Sequence, residues 1–72
     1  GEILALVKPQ FEVGKGEVGK GGIVREEEKR LAAVASVRAE IETTGLRTIG
    51  VFESPVRGQK GNIEYFLYLK KG

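Results

Sequence analysis

Apolar residues gather along the chain in two different rhythms. ILALV, residues 3–7, is an unbroken apolar run that stops at Lys8-Pro9, the pattern of a strand covered on both faces, and it predicts a strand over 3–8. RTIGVFE predicts a second strand over 47–53. NIEYFLYL opens a third over 62–70, with Ile63, Tyr65, Leu67 and Leu69 on one face and Glu64, Phe66 and Tyr68 on the other. Between the first two strands, Arg25 to Thr44 reads as a helix (25–44). Glu26, Glu27 and Glu28 suit its positive N-terminal end, Leu31, Val34, Ala35, Arg38 and Ile41 follow three-and-four spacing as the expected inner face, and Gly45 is placed to end it in the left-handed conformation. Residues 9–24 read as a Gly-rich loop and SPVRGQKG, 54–61, as a turn or loop.

The order is β-α-β-β in one domain. A strand, a crossover helix and a second strand predict a parallel pair with a right-handed connection, and the short link to the last strand makes that strand antiparallel. This topology brings Lys8, Glu53, the 54–61 loop, Asn62 and Glu64 to one rim of the sheet, the rim at which open α/β sheets bind ligands.

Composition narrows the chemistry. A chain of 72 residues buries only about 60% of the surface that its unfolded form exposes, so the core is small. There is no cysteine and no histidine, which removes disulfides, thiolate zinc sites and the commonest metal ligand and proton carrier, and no metal is expected. Lysine, arginine and carboxylate chemistry remains. The chain opens on Gly1 and holds no methionine, so it is expected to be processed or cut from something larger. With no run near the roughly 20 apolar residues of a membrane span and no leader pattern, the expectation is a soluble, cytoplasmic protein with no membrane partner. The net charge of +2 is unevenly spread: Lys8, Lys15, Lys20, Arg57 and Lys60 sit in or beside the Gly-rich loops, and Glu26, Glu27, Glu28, Glu40 and Glu42 cluster on the helix. Basic loops suit phosphate backbones, although solvated surface lysines read the same way.

GKGEVGKGG, 14–22, contains Gly14-x-Gly16-x-x-Gly19, and it also nearly spells a phosphate loop, with Gly21 where the hydroxyl belongs. A dinucleotide fingerprint needs its first glycine at the strand's end and a helix opening inside the motif. Here KPQFEV intervenes and the helix starts late. A connecting surface loop is the plainer reading.

Lys8 and Glu64 have plain readings too, as a charge at the core's edge and a solvated carboxylate. On one rim they become a candidate acid-base pair. At this point the residues resemble a known family. LVKPQFEVGKGEVGKGGIVR (6–25) and GVFESPVRGQKGNIEYFLYLKK (50–71) are similar to the C-terminal end of the haemolysin A (TlyA-type) family of FtsJ-like ribosomal RNA methyltransferases, most specifically at KPQFE, VGKGG and SP-x-x-G-x-KGN-x-E. The resemblance implies a Rossmann-like fold, S-adenosylmethionine as cofactor, bound mainly by upstream sequence, and 2'-O-methylation of a ribose in ribosomal RNA. It matches Lys8 and Glu64 to the second lysine and the glutamate of a Lys-Asp-Lys-Glu tetrad, whose first two members have no counterpart here. The chain departs from the pattern at the helix start, where Glu26-Glu27 follow Arg25 in place of Asp-Pro and Arg30 stands where relatives tend to carry a histidine.

A ribose hydroxyl is a weak nucleophile, and a lysine can serve it as a base or as a cation beside the developing alkoxide. Under this reading Lys15 and Lys20 become candidate clamps on the RNA backbone, flanked by Arg57 and Lys60 across the rim. Two other classes stay open on the residues alone: a small nucleotide-phosphate-binding domain built on Gly14–Gly22, and a non-catalytic RNA-binding module. The apolar strand 3–8 also has an edge through which copies of the chain are expected to associate.

Overall fold

The computed structural model describes residues 1–14 and 18–72. Strand β1 (Glu2–Val7) leads into a single helical turn, α1 (Pro9–Glu12); a 3-10 turn at Lys20–Gly22 precedes helix α2 (Glu27–Glu42). Strand β2 (Leu46–Glu53), a second 3-10 turn at Gln59–Gly61 and strand β3 (Tyr65–Lys71) complete the chain. The expected 9–24 loop therefore opens with helix, because Pro9 stands at the first helical position, where its fixed φ is already that of a helix and its missing N–H has no partner to lose.

The sheet order is β1-β3-β2, and β3 is antiparallel to both neighbours. The expected parallel pair of β1 and β2 is thus corrected: the two strands point the same way but do not touch. The reason lies in β3 itself. Its side chains are apolar or aromatic from Tyr65 to Leu69 on both faces, and the central place pairs both of its edges, whereas an outer place leaves one open. A β-bulge lies on β2 between Thr48 and Gly50.

Helix α2 covers one face. Tyr65, Leu67 and Leu69 of β3 meet Val7 and Val34 there, with Ala5, Val37, Ile41, Leu46 and Ile63 packed around them. Leu67 is fully buried at 0% exposure, and full burial of a leucine is worth about 1.5–3 kcal/mol. The inner face of α2 differs from the expected one. Arg30, Ala33 and Val34 are buried, while Leu31, Ala35 and Arg38 are exposed. The helix is turned because the Arg30 guanidinium faces inward, donating to the Arg25 carbonyl at 2.7 Å and to the Tyr65 hydroxyl at 3.2 Å. The same bonds hold Val24 and Arg25 outside the helix, so α2 begins two residues later than expected. At its other end the Thr43 and Thr44 hydroxyls donate back to the carbonyls of Glu40 and Ile41, and Gly45 follows at φ +94° as the stop.

The second face of the sheet has no such cover among the described residues. Leu6, Phe66 and Phe52 form one cross-strand row on it, and Leu4 lies beside Tyr68 in the next. Leu4 is 61% exposed and Phe52 54%. Among the described residues no helix is long and apolar enough to cross a membrane. An open apolar face next to the unpaired edge of β1 favours association. The isolated chain is expected to sediment as dimers or larger species at high concentration, and the double change Leu4→Lys, Leu6→Lys to shift it toward monomer; monomer at all concentrations for the unaltered chain would overturn this.

Candidate functional site

The strand register builds the rim. Val7 of β1 and Glu53 of β2 both pair with Tyr65 of β3, so Lys8, Ser54 and Glu64 follow at one end of the sheet, as the topology predicted. The Ser54 N–H donates to the Glu64 carbonyl at 2.7 Å, extending the β2–β3 ladder one step past the strands. Lys8 thereby occupies the main-chain position next to the row that ends at Glu64.

The two side chains are held by different partners. The Lys8 ammonium lies 5.6 Å from the centroid of the Phe11 ring, within cation–π range. The Glu64 side chain is buried at 6% exposure and accepts a hydrogen bond from Gln10 Nε2 at 2.9 Å. Among the described residues no ion pair joins Lys8 to Glu64. The carboxylate rests on the backbone of Gly58: a Cβ there would stand 1.8 Å from Oε2, so any larger residue displaces the carboxylate. Gly58 is in turn fixed by its N–H, which donates to the Asn62 carbonyl at 2.8 Å.

Asn62 is the residue whose role the pattern understates. Placed on the rim at the start of the expected third strand, it is 2% exposed and joins the two loops of the rim. Its Oδ1 accepts from the Val24 N–H and its Nδ2 donates to the Gly22 carbonyl, each at 2.9 Å. Arg30 completes the same seam, as its guanidinium reaches the carbonyls of Val24 and Arg25. A sequence signal for Arg30 existed: a cation among the first turns of a helix, where the dipole disfavours it, asks for a partner.

The glycine loop does not have the geometry of a phosphate cradle where it is described. Gly21 and Gly22 lie at φ +80° and +77°, which strains any residue with a Cβ and accounts for a glycine where a phosphate loop carries Ser or Thr. The Gly19 N–H is taken by the Ile23 carbonyl at 2.9 Å, and α2 starts only at Glu27. Of the predicted basic residues, Lys15 lies outside the described residues, as does the side chain of Lys20. Arg57 is half exposed, 3.9 Å from the Glu53 carboxylate. Lys60 takes a left-handed backbone, φ 58°, and its Nζ lies against Gly22, on the seam between the two loops. Among the described residues no group of three or more potential metal-ligating side chains occurs.

Comparison with known proteins places the chain in a family. The chain belongs to the FtsJ-like methyltransferase family, whose model covers residues 2–71. It is 48% identical, over 96% of its length, to the 16S/23S rRNA (cytidine-2'-O)-methyltransferase TlyA of Mycobacterium tuberculosis, and 38% identical, over 90%, to Hemolysin A of Brachyspira hyodysenteriae. It spans 26% and 27% of those two proteins. Among solved structures, a hemolysin-named protein of Streptococcus thermophilus superposes with a TM-score of 0.92 at 41% identity, over 99% of this chain and 26% of that one.

The seam yields a prediction of its own. Asn62→Ala leaves the Val24 N–H and the Gly22 carbonyl buried without their partner, and is expected to destabilise the fold by about 2–4 kcal/mol and to speed hydrogen exchange at the Val24 amide. An unchanged unfolding midpoint together with unchanged exchange would show that Asn62 does not join the loops.

Proposed function

We propose that this chain supplies the acceptor side of an active site that methylates a ribose 2'-hydroxyl of ribosomal RNA, within a longer S-adenosylmethionine-dependent enzyme of the cytoplasm. The observation that carries the reading is the buried Glu64 carboxylate, fixed by Gln10 and Gly58 at the end of the sheet where Lys8 follows β1. Family membership and a relative whose name states cytidine-2'-O methylation of rRNA support it.

S-adenosylmethionine supplies an electrophilic methyl group when bound. The described residues do not fit its cradle: β1 runs through Lys8 directly into α1 with no glycine turn at the strand end, and the backbone groups of Gly22 and Val24 are engaged by Asn62. Binding of the donor is therefore assigned to sequence outside this chain. What the chain does is prepare the hydroxyl. Lys8 meets the ribose oxygen, where an amine serves either as acceptor of the hydroxyl proton or as a partner to the growing negative charge. Glu64 accepts a hydrogen bond from the sugar and fixes its orientation.

The basic loops hold the RNA backbone under the same reading, through Lys15, Lys20, Arg57 and Lys60. Lys60 is suited to this by its place on the seam, exposed and close to the rim. The isolated chain is expected to be inactive, since its described residues form no donor cradle.

In the full-length enzyme, Lys8→Ala and Glu64→Gln are each expected to lower methyl transfer to rRNA by about 10²–10⁴-fold with RNA binding preserved. Full turnover in Lys8→Ala would refute the assignment. Replacing Lys15 and Lys20 by alanine is expected to weaken RNA binding and to reduce the slope of log affinity against log salt by roughly 1 per lysine; an unchanged slope would count against a backbone clamp.

A further inference from the structure

We propose that Gln10 is a positioning residue for Glu64, an inference that rests on the reading of Glu64 given above. Gln10 lies on α1, two residues after Lys8, and its Nε2 donates to Glu64 Oε2 across a separation of 54 positions in the chain. A hydrogen bond to a charged acceptor is about twice as strong as one between neutral groups. It engages Oε2, and no hydrogen bond among the described residues engages Oε1, which leaves that oxygen for a hydroxyl donor.

Two further observations point the same way. The Gln10 Oε1 is buried and makes no hydrogen bond. Leaving a buried acceptor unpaired is destabilising, so a residue placed for stability alone is expected to satisfy both ends of its amide. The arrangement at Gln10 satisfies the Glu64 carboxylate instead. Gly58, on the other side, permits the carboxylate to lie where a Cβ would overlap it. The amide pulls Oε2 toward α1 and the bare backbone of Gly58 gives it room, so the two act together on a single torsional choice of Glu64. Because α1 is closed by the Phe11 N–H donating to the Lys8 carbonyl at 2.9 Å, the same short helix ties the position of the amine to that of the carboxylate.

The test uses the full-length enzyme, with labelled methyl donor and ribosomal RNA, and reads kcat and KM separately. Gln10→Met keeps the length of the side chain and removes the donor; Gln10→Asn keeps the amide but is too short to reach. Both are expected to lower kcat by about tenfold to a hundredfold, with KM for RNA and donor within about twofold and the thermal midpoint somewhat lowered, since the buried Oε2 loses its donor. In a Glu64→Gln background the Gln10→Met change is expected to have no further effect, since the charge it positions is gone. An unchanged kcat in both Gln10 variants, with Glu64→Gln crippled, overturns the positioning role while leaving Glu64's own role standing. An equal further loss in the Glu64→Gln background also overturns it, by showing that Gln10 acts independently. Full turnover of Glu64→Gln alone overturns the underlying reading, and the inference with it.

Discussion

The antiparallel insertion of β3 between β1 and β2 is the constraint from which the rest of this structure follows. Because β1 and β2 both run against β3, their C-terminal ends meet its N-terminal end, and one register row, Val7–Tyr65–Glu53, closes the sheet. Lys8, Ser54 and Glu64 each stand one residue beyond that row. A parallel pairing of β1 with β2 would have kept Glu64 on the same rim but one strand further from Lys8. With β3 in the middle, the most apolar strand pairs on both edges, and the carboxylate that precedes it is carried into the interior between the two loops.

That placement makes the rim unusually polar for so small a core. Asn62, Glu64 and Arg30 are all buried, and an unpaired group in any of these places is costly. The structure offsets this by letting side chains take the hydrogen bonds that regular structure cannot reach: Asn62 stands in for a strand partner to Gly22 and Val24, and Arg30 reaches the carbonyls just before α2. Networks of this kind fix a conformation more sharply than apolar contact does, because each member is satisfied in one geometry only. A rim that must hold a carboxylate in a set orientation gains from that property.

How much of this was readable in the residues depends on how local the cause is. The strands were legible, since alternation and β-branching are local signals: β1 at 2–7 against an expected 3–8, and β2 at 46–53 against 47–53. The N-terminal part of the predicted third strand was not, because Asn62 looks like strand in composition but has its carbonyl taken by the Gly58 N–H and its side chain by Val24 and Gly22. The inner face of α2 was misread for a related reason. Hydropathy alone puts Leu31 inside and Arg30 outside, and the long-range bond from Arg30 to the Tyr65 hydroxyl reverses that. The shared rim of Lys8 and Glu64 was read from the strand order. Gln10 and Gly58 were not legible as site residues, since an amide whose partner lies 54 positions away and a glycine in a loop announce nothing until the fold brings Glu64 against them.

The two faces of the sheet carry the last step of the argument. One face is filled by α2, yet β3 presents apolar or aromatic side chains to both, and the row Leu6–Phe66–Phe52 has the composition of an interior rather than of a surface. Such a face is consistent with a chain that spans 26% of relatives like TlyA, in which further sequence is available to cover it. The covered face and the rim are bonded largely among the described residues, with the Gln10 Oε1 and Thr48 Oγ1 atoms left buried without a partner. The chain thus combines an end tied together by its own hydrogen bonds with an uncovered flank. It follows that substitutions at the rim act on geometry already set inside this chain, whereas substitutions at Leu4, Leu6 or Phe52 act on whatever covers the flank, so the two groups separate the acceptor chemistry from the integrity of the larger protein.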